Sequence, residues 1–189
     1  MAIILRSGRR AMPLPDASSQ QLQAIQQAAC SIGRVELEGH PYLPWVGTGF
    51  LVSSRLFVMA RYAAEIFCTG RGDAGLTLKS GFKVFLASPP ELSGSVQFRL
   101  PLKAVRFMHP FFHVALCELG EGEITLAAED QELGLTLAAG DTIATAGRKV
   151  AVVGFAAPDP RNDPEAVQDA YGDIGDALYY QPGELGRVT

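Results

Sequence analysis

Three histidines, His40, His109 and His113, and three cysteines, Cys30, Cys68 and Cys117, are the residues whose types could ligate a metal or carry nucleophilic and acid–base chemistry. His109 and His113 are four apart, the spacing that shares a helix face, but Pro110 lies between them and the residues that follow read as strand. On a strand they would point the same way and stand about 13 Å apart, so neither a zinc site nor another cofactor is expected. His40, within Glu38-Gly-His-Pro-Tyr42, reads as a surface-loop residue. The cysteines are odd in number and lie in apolar settings, which argues against a disulfide framework. Buried reduced thiols are expected, with a reactive thiol as the alternative. Arg71-Gly72-Asp73 spells a cell-adhesion tripeptide and reads as a chance turn; Arg6, Arg9 and Arg10 read as a solvated edge.

The elements that must position these residues are mostly short strands. Asp16 to Cys30 predicts a helix, with Asp16 as cap, Leu22, Ile25 and Ala29 at three-to-four spacing, and Gly33 after its end. Strands are then expected at 34–38, 49–53, 56–59, 83–86, 96–100, 103–107, 114–118 and 150–154, with Pro/Gly turns between them. Trp45, after Pro44, is expected to cover a barrel end. Repeated strands at this spacing argue for a barrel or sandwich. Beyond Phe155, residues 157–176 hold three prolines and five aspartates and read as a long loop. Ala177 to Tyr180 then reads as a strand, followed by a turn and the bare start of another.

Composition narrows the class. With 189 residues, 48% apolar and 19% charged, the chain can bury a core, and Gly 20 with Pro 12 is enough to punctuate many strands. Sixteen Lys and Arg against 20 Asp and Glu give a net charge of −4, which offers no footprint for nucleic acid. No apolar run reaches the roughly 18–20 residues that span a bilayer, and the first apolar residues precede the arginines, the reverse of a secretory signal. No membrane partner and a cytoplasmic location are therefore expected.

Residues 46–67, VGTGFLVSSRLFVMARYAAEIF, give a Gly-x-Gly turn, a strand, a short turn, a second strand and a helical start. This stretch resembles the amino-terminal barrel of trypsin-like (chymotrypsin-fold) serine peptidases, especially bacterial intracellular ones, where a Leu-x-x-Thr-Asn-x-His-Val-Ala segment follows the turn. His109-Pro-Phe-Phe-His-Val-Ala-Leu-Cys-Glu-Leu119 is similar to the family's His-Pro-x-x-Asp-Val-Ala-Leu-Leu-x-Leu. Val150 to Phe155, with the Pro-rich loop after it, resembles the opening of the second barrel. The likeness runs from about Ile32 to Leu185. It implies an amino-terminal strand and helix over residues 1–31, a first trypsin-like antiparallel β-barrel over 32–145, and an incomplete second barrel over 146–189 with a long acidic, Pro-rich loop.

The family's chemistry needs a histidine base, a carboxylate that orients it, an attacking serine and oxyanion amides. In this sequence the base position falls on Tyr62, the carboxylate position on His113, and the Gly-x-Ser-Gly block is absent; Ser80-Gly81 and Ser93-Gly94-Ser95 lie in early loops. A phenol keeps its proton at neutral pH, and a histidine cannot replace the anion. Tyr62 and His113 should meet in the cleft, either as a hydrogen-bonded inactive pair, as a ligand or peptide-binding pair, or as a new hydrolytic dyad. The resemblance implies a catalytically inactive pseudoprotease, a scaffold or regulatory subunit that binds a protein partner or the missing second-barrel segment. The alternative is half of a split or truncated peptidase whose serine comes from another segment or chain.

Overall fold

A computed structural model describes residues 24–25, 27–88, 97–125, 133–137, 145–155, 163, 165–166, 169 and 178–186. Among the described residues eleven strands and one complete short helix are defined: β1 (Ile32–Glu38), β2 (Trp45–Leu51), β3 (Leu56–Met59), α1 (Arg61–Phe67), β4 (Cys68–Arg71), β5 (Ala74–Leu78), β6 (Lys83–Ala87), β7 (Gln97–Met108), β8 (Ala115–Leu119), β9 (Glu123–Thr125), β10 (Lys149–Gly154) and β11 (Tyr179–Glu184). The chain is mostly β, and its main sheet is a closed six-stranded antiparallel barrel. The order runs β6-β1-β2-β3-β8-β7, and β7 returns to β6 through Phe85–Pro101, Leu86–Leu100 and Ala87–Arg99.

Period-2 alternation decides which side chains fill the barrel. Ala115, Cys117 and Leu119 of β8 point inward, as do Phe57 and Met59 of β3 and Phe98 and Leu100 of β7. They pack with Leu51, Leu86 and Val35, while Ala63, Ala64 and Phe67 of α1 join the same core. Two glycines let the strands approach. A Cβ on Gly49 would stand 2.7 Å from Leu86 Cδ1, and one on Gly33 would stand 2.8 Å from the Ala87 carbonyl oxygen on the neighbouring β6.

Several elements differ from the sequence expectation. The separate strands expected at 96–100 and 103–107 are one strand, β7, with irregularities between Leu102 and Ala104 and between Val105 and Phe107. Such bulges bend a strand without ending it, and Pro101 sits within it opposite Phe85. β2 begins at Trp45 and ends at Leu51, earlier than 49–53 suggests. Ser53 Oγ accepts the amides of Arg55 and Leu56 and turns the chain there. The β4–β5 hairpin is an addition, and Arg71-Gly72-Asp73 forms its turn; Gly72 exchanges backbone hydrogen bonds with Met108, each 2.8 Å. His109 and His113 are not on a strand, because residues 109–114 form a turn ahead of β8.

Of the helix expected at 16–30, the described residues 24, 25 and 27–29 are helical, and the rest up to 23, with 26, lies outside the described residues. Ala29 is buried with Ile32, Phe155 and Leu178 in a second, smaller cluster. β10 follows expectation, but residues 181–184, read as a turn, continue β11 and pair with β10 from Gly154–Tyr179 to Lys149–Glu184. Pro182 lies in that strand opposite Ala151, in a two-stranded sheet where both strands have an outer edge. Most of the acidic loop lies outside the described residues.

Because a methyl on Gly33 meets backbone rather than a flexible side chain, Gly33→Ala should force β1 and β6 apart. A loss of about 1–3 kcal/mol in urea unfolding is expected, with the slope unchanged. A midpoint equal to that of the unsubstituted protein would show that the strands are not so tightly apposed.

Candidate functional site

The site is built where β3 hands over to α1. Ala60 keeps an extended backbone, and the helix that follows turns Ala63, Ala64 and Phe67 inward. Tyr62 is left outside, 62% exposed. Arg61, one residue earlier, reaches the turn before β8: its Nη1 donates to the carbonyl oxygens of His109 at 2.9 Å and Pro110 at 2.8 Å. Its Nε pairs with Glu65 one helical turn on, at 3.3 Å. A planar guanidinium on two adjacent carbonyls fixes the turn relative to the helix.

The turn is braced internally as well. The His109 amide donates to Val114 O at 2.8 Å, and Val114 N–H donates to Phe112 O at 2.9 Å. His109 Nδ1 accepts the amides of Phe111 (3.1 Å) and Phe112 (2.9 Å). The result carries His113 to Tyr62, with ring centroids 6.2 Å apart and planes at 71°. The two expected site residues are therefore brought together, but edge to face. They are exposed rather than half-buried, and among the described residues neither side chain makes a hydrogen bond. Of the arrangements expected from the sequence, the hydrogen-bonded pair is not formed; the two groups make a ring contact, and as both are exposed, water can satisfy their polar atoms.

Beside them runs an apolar groove of about 600 Å³, with Thr48, Phe50, Val58 and Met59 on the barrel side and Val152 to Phe155 opposite. His113 and Val114 line it too, and Val152 is 70% exposed. Thr48 is the hydroxyl on this lining, and it is already committed. It accepts the Phe155 amide at 2.7 Å and donates to the Phe155 carbonyl at 3.2 Å, tying the end of β10 to the barrel. A hydroxyl held this way is not poised to attack a substrate, since its proton and a lone pair are both engaged.

The remaining sequence candidates are structural. Cys68 and Cys117 are buried; burial pushes both thiols up, Cys117 to about 12. Neither forms the thiolate that nucleophilic chemistry needs at neutral pH. Cys30 is half-buried. His40 is half-buried rather than fully at the surface. It contacts the Phe82 ring at 5.2 Å, and its Nδ1 accepts the amides of Tyr42 and Leu43. Trp45 is half-buried at the start of β2, with the Arg34 guanidinium 5.3 Å from its ring centroid. Among the described residues no three His, Cys, Asp or Glu side chains gather as a metal site requires, and no helix is long and apolar enough to cross a membrane.

Neither a scan against protein-family models nor a search of curated proteins finds a match to this chain. Sequence reading passed over Arg61 and the groove wall at Val152 to Phe155. In the sequence nothing sets Arg61 apart from the other arginines, and the groove wall depends on where β10 docks. One signal was in view: His40-Pro-Tyr-Leu and His109-Pro-Phe-Phe are the same motif, and they fold into the same turn.

Thr48→Val keeps the volume and removes both bonds to Phe155. Amide exchange of residues 150–155 should quicken about tenfold while the barrel amides stay protected, the loss of roughly 1–2 kcal/mol of local stability. Equal acceleration throughout would mean that Thr48 supports the barrel instead. In the native protein a thiol reagent at pH 8 should leave Cys68 and Cys117 unmodified until the chain unfolds. Since the Cys117 value is raised in the fold, its contribution to stability is intact below the ordinary thiol range and declines as pH climbs from there toward about 12.

Proposed function

We propose that this chain is a trypsin-like domain without peptidase chemistry, which acts in a cytoplasmic assembly by binding a peptide or protein partner in the groove between its barrel and the β10–β11 sheet. The observation that carries the reading is the meeting of Tyr62 and His113 at 6.2 Å. These are the two positions at which the resembled family holds its base and its carboxylate, and they face each other here with a phenol and an imidazole in those roles. The closed barrel in which β3 lies beside β8 supports the same reading, because that adjacency is what brings the two positions together.

What the pair lacks favours binding over catalysis. A phenol cannot take the proton of an attacking hydroxyl at neutral pH, and the carboxylate that would stabilise an imidazolium is replaced by a second ring. Thr48, the hydroxyl at hand, is held by Phe155. The apolar lining, in contrast, suits the side chains of an extended segment. β10 and β11 are the part of the reading that corresponds to the opening of a second barrel, and a two-stranded sheet offers outer edges for strand addition.

A fluorophosphonate probe should leave the purified chain unlabelled. Peptides selected from a displayed library should bind it and lose at least about tenfold in affinity to the double variant Val114→Asp, Val152→Asp, whose altered side chains are solvent-facing. Stoichiometric labelling would overturn the inactive reading, and selected peptides indifferent to the double variant would overturn the groove as their site.

A further inference from the structure

The turn at residues 109–114 depends on a histidine in one protonation state. An imidazole nitrogen accepts a hydrogen bond only through a free lone pair, and His109 Nδ1 accepts two, from Phe111 and Phe112. An imidazolium carries N–H at both nitrogens and accepts none. We propose that His109 makes this turn a proton-operated latch beside the groove. It is closed while the ring is neutral, and it is released when Nδ1 takes a proton and turns a donor toward two backbone donors.

The geometry gives the release a direction. The His109 ring lies against Phe112 with centroids 4.6 Å apart and planes tilted by 46°, and it meets Phe107 and Phe111 edge-on at 5.8 and 6.3 Å. Phe111 and Phe112 are 83% and 68% exposed, so they are held by the ring, by its two amide bonds and by the Val114–Phe112 backbone bond. His113 and Val114 follow directly and form part of the groove wall. Opening the turn therefore moves His113 off Tyr62 and changes the groove mouth. Arg61, bonded to the carbonyls of His109 and Pro110, keeps the near end of the turn anchored to α1. Release is thus confined to residues 111–114.

The charged and titratable groups near the ring come from the elements packed beside it and the turn itself. α1 supplies Arg61, paired with Glu65, and Tyr62. The β4–β5 turn, which carries Arg71 and Asp73, pairs its Gly72 with Met108, the residue before His109. β7 presents Phe107, while its Arg106 is engaged with Glu118. Within the turn, His113 is the second imidazole. Among the described residues no carboxylate bonds His109 as an acceptor for a protonated ring. The His40 turn repeats the same two bonds, at 3.3 and 3.1 Å, but lies on the β1–β2 connection and lines no part of the groove.

The test follows the backbone amides and imidazole nitrogens of the ¹⁵N-labelled full chain by NMR from pH 8 to pH 5, the interval in which histidines change charge. At pH 8 His109 should carry its proton on Nε2. As Nδ1 protonates, the exchange protection of Phe111 and Phe112 should fall about tenfold, the scale of losing a pair of modest hydrogen bonds. His109→Asn supplies an oxygen that can accept the same amides but takes up no proton, so its turn should be indifferent to pH. His113→Gln removes the other imidazole of the turn, and the pH response of the Phe111 and Phe112 amides should persist in it. Protection that stays level while His109 titrates would overturn the latch. So would a pH response that persists in His109→Asn or disappears in His113→Gln. If the Asn variant does not fold, the measurement on the unsubstituted chain decides by itself.

Discussion

Pairing of β6 with β7 closes the sheet, and nearly everything else follows from that closure. An open antiparallel sheet of this length would leave two rows of unpaired amides and a hydrophobic face in water. Joining Phe85–Pro101, Leu86–Leu100 and Ala87–Arg99 removes both edges over that stretch and encloses Phe57, Leu51, Leu86 and Cys117. The closure makes demands on neighbouring residues. β7 must bend, which its bulges permit, and β1 must lie close to β6, which the missing side chain at Gly33 permits. Arg99 reinforces the seam from outside, with its guanidinium 3.6 Å from the Phe85 ring centroid and its nitrogens on Glu36 and Glu38.

A closed barrel also dictates which chain segments become neighbours. β3 and β8 are far apart in sequence yet adjacent in the sheet, so the helix that leaves β3 and the turn that enters β8 emerge at the same end. Tyr62 and His113 meet there because of strand order, and the fine geometry comes from Arg61 and from the His109 turn. The barrel is a rigid base for a short, exposed loop. Such a division suits binding, in which a stable scaffold presents a few adaptable side chains. It also means that the fold alone does not specify chemistry, which depends on the side chains the barrel presents.

The β10–β11 sheet relates to this base in a different way. Among the described residues it shares no strand pairing with the barrel and is joined to it by the Thr48–Phe155 bonds and a small cluster of Ala29, Ile32, Phe155 and Leu178, against which Phe50 and Val153 pack. The groove runs beside this junction, between β2 and β3 on one side and β10 on the other. One hydroxyl therefore serves the position of the sheet, and the shape of the groove depends on it.

The sequence by itself determined the strand content, the position of most barrel strands and the burial of Cys68 and Cys117, because period-2 alternation and turn residues act over a few neighbours. It misplaced what depends on distant partners. The two strands expected around Pro101 are one, since a bulged strand stays paired when β6 and β8 hold its two sides. Residues 181–184 are strand rather than turn, since β10 supplies hydrogen bonds to a segment whose own composition favours a bend. His109 read as a strand residue and became the brace of a turn, because Arg61 and the Val114 carbonyl draw the backbone out of the ladder. Only the tertiary structure decided how Tyr62 touches His113 and where the groove runs, because both depend on contacts between segments that the chain keeps far apart.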